Sequence, residues 1–215
     1  MTELLYFRSD DLCANARVIR CTPVESGFAI ELDRTLFHPQ GGGQQADIGT
    51  IDDAIVKHVQ MKGGVVQHIV DRPIFLNVVD IQVEFERRRL NSRLHSAGHL
   101  IGNAMNVFDL KAVRAHHWPS EAKVWFEVSG ESAFKNLTRP TLLNDIQDTI
   151  NFYLDYNLMR KTEVINNRRT IGFGELESYP CGGTHVFSTG LIGQCQLISV
   201  VSDRKKGNYI EYRVE

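Results

Sequence analysis

The 215-residue sequence is short of the features that announce specialised protein classes. Its four cysteines, at positions 13, 21, 181 and 195, are too few and too scattered for the disulfide framework of a small secreted scaffold. Neither charge dominates: 24 Lys and Arg face 26 Asp and Glu, a formal −2, whereas a dedicated nucleic-acid binder is strongly basic. The stretch MTELLYFRSDD lacks the apolar run of a signal peptide. Residues 178–202 contain no Asp, Glu, Lys or Arg and are numerous enough to span a bilayer. Pro180, Gly182, Gly183, His185, Gly190, Gly193, Gln194 and Gln196 within them would leave polar groups unsatisfied in lipid, so the segment reads as a loop followed by a buried strand. Internal repeats and low-complexity tracts are missing too. With 42% hydrophobic and 23% charged residues, the expectation is a soluble, cytoplasmic globular protein with no membrane partner.

What is present divides into two parts. Up to residue 83 the pattern is short strands. One run includes Val18 and Ile19 and is expected to break at Pro23; Phe28, Ile30 and Leu32 then alternate with polar neighbours. AIVKHVQ and VVQHIV flank Met61, Lys62, Gly63 and Gly64, a hairpin signal, and VVDIQVEF follows. Short strands joined by turn residues predict a small β-barrel over 1–83. From residue 84 the character changes. Leu90, Leu94, Ala97, Ile101, Ala104 and Met105 recur at helical spacing, and Leu142, Leu143, Ile146, Ile150, Tyr153 and Leu154 do so after Pro140. Strand-like runs AKVWFEV, LIGQCQLISVV and NYIEYRV complete an α+β domain over 84–215.

Inside the first helix His95 and His99 are four apart, which puts both imidazoles on one face. An isolated pair of this kind fits two unrelated histidines as well as a metal site. A second pair, Cys181 and His185 in CGGTH, tips the reading: together they supply the donor types and number that zinc prefers. A zinc peptidase is excluded, because the glutamate that must follow the first histidine is here Ser96. The remaining conspicuous segment, RTLFHPQGGGQQADIG, matches neither the phosphate loop nor the dinucleotide fingerprint, so no nucleotide cofactor is expected. Gly41, Gly42 and Gly43 form either a turn between strands or a loop that offers its N–H groups to a ligand.

FHPQGGGQQADIG, RLHSAGHLIG and CGGTHVFSTGLIG, in that order, resemble the editing domain of alanyl-tRNA synthetases and the AlaX-type trans-editing proteins related to it. The closing SDRKKGNYIEYRV is similar to the family's final basic strand region, so the resemblance covers nearly the whole chain. The glycine-motif module resembles the medium-length class; the shortest class lacks it, and 215 residues leave no room for the extra C-terminal domain of the longest. The two metal-ligand pairs also occur in threonyl-tRNA synthetase editing domains, but GGGQ points to the alanyl side.

The resemblance implies an α+β editing domain of the alanyl/threonyl type and one zinc ion held by His95, His99, Cys181 and His185. The implied reaction is ATP-independent hydrolysis of mischarged alanine tRNA, serine first and glycine second. A pocket built for alanine cannot reject an isostere that only adds a hydroxyl, so a second site has to remove it. Thr35 matches a family threonine and is the candidate for recognising the serine hydroxyl, against an ordinary strand threonine. The backbone of Gly41, Gly42, Gly43 and Gln44 is the candidate for holding the tRNA terminus or an oxyanion.

Four ligands close a tetrahedron, which leaves three roles open for the zinc: activating water, binding the substrate amino group, or shaping the pocket. Asp47 stands near the glycine loop as either a general base or a turn cap. Arg87, Arg88, Arg89 and Arg93, with Arg168, Arg169 and Arg204, Lys205, Lys206, are candidate contacts to the tRNA acceptor end; His116, His117 and Trp118 either stack on a base or pack as a turn. Divided at residue 83, the first part carries 7 basic against 11 acidic residues and the second 17 against 15, so the modest positive charge accompanies the metal ligands. Two rival readings remain: a non-catalytic RNA-binding module with structural zinc, and a threonyl-type editing domain acting on another mischarged tRNA.

Overall fold

A computed structural model describes residues 1–203 and 205–215; Arg204 of the last basic cluster lies outside the described residues. The chain is mixed α+β and falls into two compact units, Met1–Arg89 and Leu90–Glu215.

The first unit holds β1 (Glu3–Leu4), β2 (Cys13–Val24), β3 (Gly27–Leu32), β4 (Arg34–Thr35), β5 (Gly49–Ile51), β6 (Ala54–Lys62), β7 (Val65–Val70) and β8 (Val78–Val83). Six of these pair in the order β2-β3-β7-β6-β5-β8, and β8 pairs back with β2, so the sheet closes on itself. The two short strands β1 and β4 pair in parallel beside it. Period-2 burial follows from the pleat: in β8 Val79, Ile81 and Val83 face inward, and they meet Ile30, Leu32, Val56, Val59 and Val70 in one core. Pro23 does not end its strand; it lies within β2, opposite Phe28. The ladder to β8 stops at Arg17, and in a stretch with one partnered edge a missing N–H costs no second ladder bond.

Helix α1 (Phe85–Asn106) begins where the Glu84 carboxylate accepts the N–H groups of Glu86 and Arg87 at 3.1 and 2.6 Å, satisfying donors that have no partner within the helix. Next come β9 (Leu110–His116), β10 (Lys123–Val128), α2 (Gly130–Leu137), α3 (Leu142–Asp155), β11 (Arg160–Ile165), β12 (Arg168–Phe173), β13 (Tyr179–Pro180), β14 (Cys195–Asp203) and β15 (Gly207–Val214). Two antiparallel sheets form, β14-β15-β10-β9 and β11-β12-β13. The apolar stripe of α1 (Leu94, Ala97, Ile101, Ala104 and Met105) packs with Val124, Phe126 and Ile210 from the larger sheet and Ile146 and Ile150 from α3. Helix α2 and the β11–β12 hairpin have no counterpart in the sequence analysis. Asn166 and Asn167 turn that hairpin with φ of 51° and 61°, a left-handed pair that asparagine tolerates. Among the described residues no helix is long and apolar enough to cross a membrane.

Candidate metal centre

Helix α1 turns a polar stripe, Ser92, His95, Ser96 and His99, toward the segment that follows β13. Ser92 Oγ donates to Thr184 Oγ1 at 2.8 Å, and Ser96 Oγ accepts the N–H of Val186 at 3.1 Å. Ser96, the residue that excludes a peptidase, thus fastens the backbone next to His185. Two arginines hold the same segment from the other side. Arg169 of β12 donates through Nη1 to the carbonyls of Cys181 and Gly183 at 3.0 and 2.9 Å, and Arg160 of β11 donates to the carbonyl of His185 at 2.8 Å.

These anchors bring His95, His99, Cys181 and His185 together, with one donor atom from each and all four atoms within 4.8 Å of one another. Cys181 Sγ is 3.2 Å from His95 Nε2 and 3.8 Å from His185 Nε2, and the Nε2 atoms of His185 and His99 are 3.3 Å apart. Around a tetrahedral zinc, bonds of about 2.0–2.1 Å to nitrogen and about 2.3 Å to sulfur give edges of roughly 3.3–3.6 Å. The donor types suit one such ion, and these three separations lie close to those edges. Burial, the main cause, lowers the His99 pKa to about 4 and takes His185 well below its ordinary value, with help from His99 and Arg169. Both imidazoles are therefore neutral, the form that coordinates metals. Burial pushes the Cys181 thiol up, opposed by the Gly183 N–H and by Arg169. A cation among these donors is what would favour its thiolate.

Residues 169–210, which include both members of the CGGTH pair, match the family model described as the threonyl and alanyl tRNA synthetase second additional domain. The alanyl-tRNA editing protein AlaX-M of Pyrococcus horikoshii is 31% identical over 202 residues, covering 90% of this chain and 88% of that protein. The chain belongs to the AlaX family. AlaX-L of the same organism is 28% identical across the whole chain, which spans 57% of that longer protein. The alanine–tRNA ligase of Methanothermobacter thermautotrophicus is 31% identical over 89% of the chain, which amounts to 24% of the ligase.

In this AlaX-family chain the glycine motif belongs to the first unit. Gly41 and Gln44 exchange backbone hydrogen bonds at 3.2 and 3.0 Å, and Gly42 and Gly43, with φ of 57° and 79°, make the tight turn between them. Gln44 is buried beneath it. Thr35, at the end of β4, is fully buried; its Oγ1 accepts the N–H of Phe37 at 3.1 Å and lies 2.8 Å from His68 Nε2. His68 Nδ1 is 3.0 Å from the carbonyl of Ile30, which can only accept, so Nδ1 bears the proton and Nε2 takes the hydroxyl hydrogen of Thr35.

Asp47 is no free base. It is fully buried, accepts the N–H of His38 at 2.6 Å and is clasped by Arg88, whose Nε lies 3.2 and 3.1 Å from its two oxygens. Arg88 is accordingly withdrawn from any RNA surface. Arg93 donates to the carbonyls of Ile192 and Glu215, and Arg169 serves the ligand loop, while Arg89, Arg168, Lys205 and Lys206 are exposed. A charge run in sequence does not reveal which of its members a fold consumes internally. His117 is buried rather than open for stacking on a base. Ser92, Thr184 and Arg160 escaped sequence reasoning, which read Arg169 as a tRNA contact and His117 as a stacking or turn residue. Ser92 and Ser96 could have been found, because with the histidines they share one helical face at i, i+3, i+4, i+7.

Proposed function

We propose that this chain hydrolyses the ester between alanine tRNA and a wrongly attached amino acid, acting in trans in the cytoplasm, with serine as first substrate and glycine as second. The observation that carries the reading is the convergence of His95, His99, Cys181 and His185 on one zinc-sized position in a chain of the AlaX family. A bound zinc ion would supply a fixed Lewis-acid charge able to polarise an ester or its attacking water. The chain's own residues would do the rest. The buried histidine cluster keeps bulk water from the reacting ester, and the Arg169 and Arg160 clamps keep the ligand loop in place. In the glycine turn the closing bonds use the N–H groups of Gly41 and Gln44, which leaves those of Gly42 and Gly43 for an oxyanion or the tRNA terminus. Thr35 is proposed to favour serine over alanine. With its proton committed to His68, what it offers a serine hydroxyl is a remaining lone pair. Arg168, Lys205 and Lys206 are proposed as phosphate contacts, so tRNA affinity falls as salt rises.

The fourfold donor set also favours a second reading, a structural zinc in an RNA-binding module, because it leaves no tetrahedral position open. The deciding experiment is deacylation of alanine tRNA charged with Ser, Gly, Ala or Thr by the purified zinc-loaded protein. Release of serine with alanine spared supports the enzyme reading; no release from any of them by folded protein overturns it. A Cys181→Ala variant is assayed with its thermal transition, because a structural zinc contributes ~10–16 kcal/mol to folding against a domain stability of ~5–15 kcal/mol. Full activity with an unchanged transition in that variant would refute a zinc-centred reaction.

A further inference from the structure

A further buried side chain at this centre is not one of the four converging donors. His117, just past β9, lays its ring on that of His95, with centroids 4.2 Å apart and planes inclined by 24°. Its seat is built from three elements. Tyr212 of β15 donates its hydroxyl hydrogen to the carbonyl of Leu94 on α1 at 2.9 Å. The phenol oxygen then accepts from His117 Nδ1 at 2.7 Å, which fixes the tautomer and the ring edge. On the helix, position 98 is glycine, and a Cβ there would come within 2.3 Å of His117 Cε1 and 2.8 Å of Nδ1. Glycine is the poorest helix former apart from proline, so its use in the interior of a 22-residue helix is explained by the room it leaves for this imidazole.

We propose that His117 is a positioning residue of the metal centre, holding the His95 ring in its coordinating orientation by stacking. A histidine's terminal torsion is broad, and a ring lying flat on the imidazole narrows the turn about Cβ–Cγ that would take Nε2 away from the other donors. The flat face of His117 opposes that rotation and keeps His95 Nε2 beside Cys181 Sγ. Outer groups that orient a ligand imidazole commonly change metal affinity about 10–100-fold when removed. This inference rests on the reading that the cluster holds a divalent metal, and not on the identity of the tRNA substrate.

The test uses Co2+ as the probe metal in the full chain, reading affinity by competition with a chelator and geometry from the visible absorption bands. Phe at position 117 keeps a flat ring over His95, whereas Leu fills the space without one. Expected is a roughly ten-fold or greater loss of Co2+ affinity with altered bands for His117→Leu, and near-wild-type affinity and bands for His117→Phe. Equal affinity and bands in wild type and His117→Leu overturn the proposal, as does an equal loss in both variants. Should the position-117 variants fail to fold, Tyr212→Phe, which removes the anchoring hydroxyl and keeps the ring, decides: shifted bands support the proposal and unchanged bands overturn it. Serine release is measured alongside. Its failure in wild type with the cobalt pattern as expected removes the proposed substrate and leaves the role of His117 standing.

Discussion

A Cβ on Gly98 would stand 2.3 Å from Cε1 of the His117 ring, inside any real contact distance. Helix propensity alone makes Gly→Ala in a helix interior stabilising by about 1 kcal/mol. The contact reverses the sign. Gly98→Ala is expected to lower stability by about 1–3 kcal/mol, the usual cost of overpacking. In a His117→Ala background only the Tyr212 hydroxyl, at 3.2 Å, stays close, and the same substitution costs markedly less. Urea unfolding of the four proteins of this cycle measures the coupling; additive effects would mean that Gly98 is not there for His117.

The buried pair Asp47 and Arg88 makes a second prediction. Removing one partner leaves a charge inside without compensation, so Asp47→Ala and Arg88→Met each cost about 3–5 kcal/mol. Asp47→Leu combined with Arg88→Met recovers much of the loss, since neither charge remains. Deacylation per folded molecule stays near the wild-type rate in every variant that folds. A large loss of turnover in folded Asp47→Asn, measured with a thermal transition as control, would restore the carboxylate as a base.

His68 makes the stability of the first unit depend on pH. Burial holds its pKa at about 4, against an ordinary 6.5. The unfolded chain gains a proton there below 6.5, and the folded chain does not until about pH 4. The contribution to stability is therefore full above pH 6.5 and is lost as pH falls towards 4, by on the order of 3 kcal/mol. Urea midpoints between pH 7 and 4.5 should fall less steeply in His68→Gln, whose amide can still donate to Ile30 and accept from Thr35. Parallel slopes in the two proteins would place the pH dependence elsewhere.

Much of the architecture was legible in local pattern. The stripe from Leu94 to Met105 marked α1, and the alternation in VVDIQVEF marked β8, because burial repeats every 3.6 residues in a helix and every two in a strand. Helix α2 and the β11–β12 hairpin were not legible. The residues of α2 and β11 are largely exposed, so no apolar period distinguishes them from loop, and in β12 the four buried residues Thr170 to Phe173 run together without alternating. At the candidate site, residue type and spacing sufficed to nominate His95, His99, Cys181 and His185, because their chemistry is carried by the side chains themselves.

What holds those four in place was decided elsewhere. The sequence by itself determined the donor set, the helical face shared by two of its members and the glycine turn, all consequences of short-range geometry. Only the tertiary structure decided that Arg169 and Arg160 grip the ligand loop, that Asp47 is consumed by Arg88, and that Gly98 makes way for an imidazole nearly twenty residues later. Those relationships join residues far apart in the chain, and a hydrogen bond or a steric exclusion between them leaves no period or spacing to read. It exists only once the core has brought both partners to within a few ångströms.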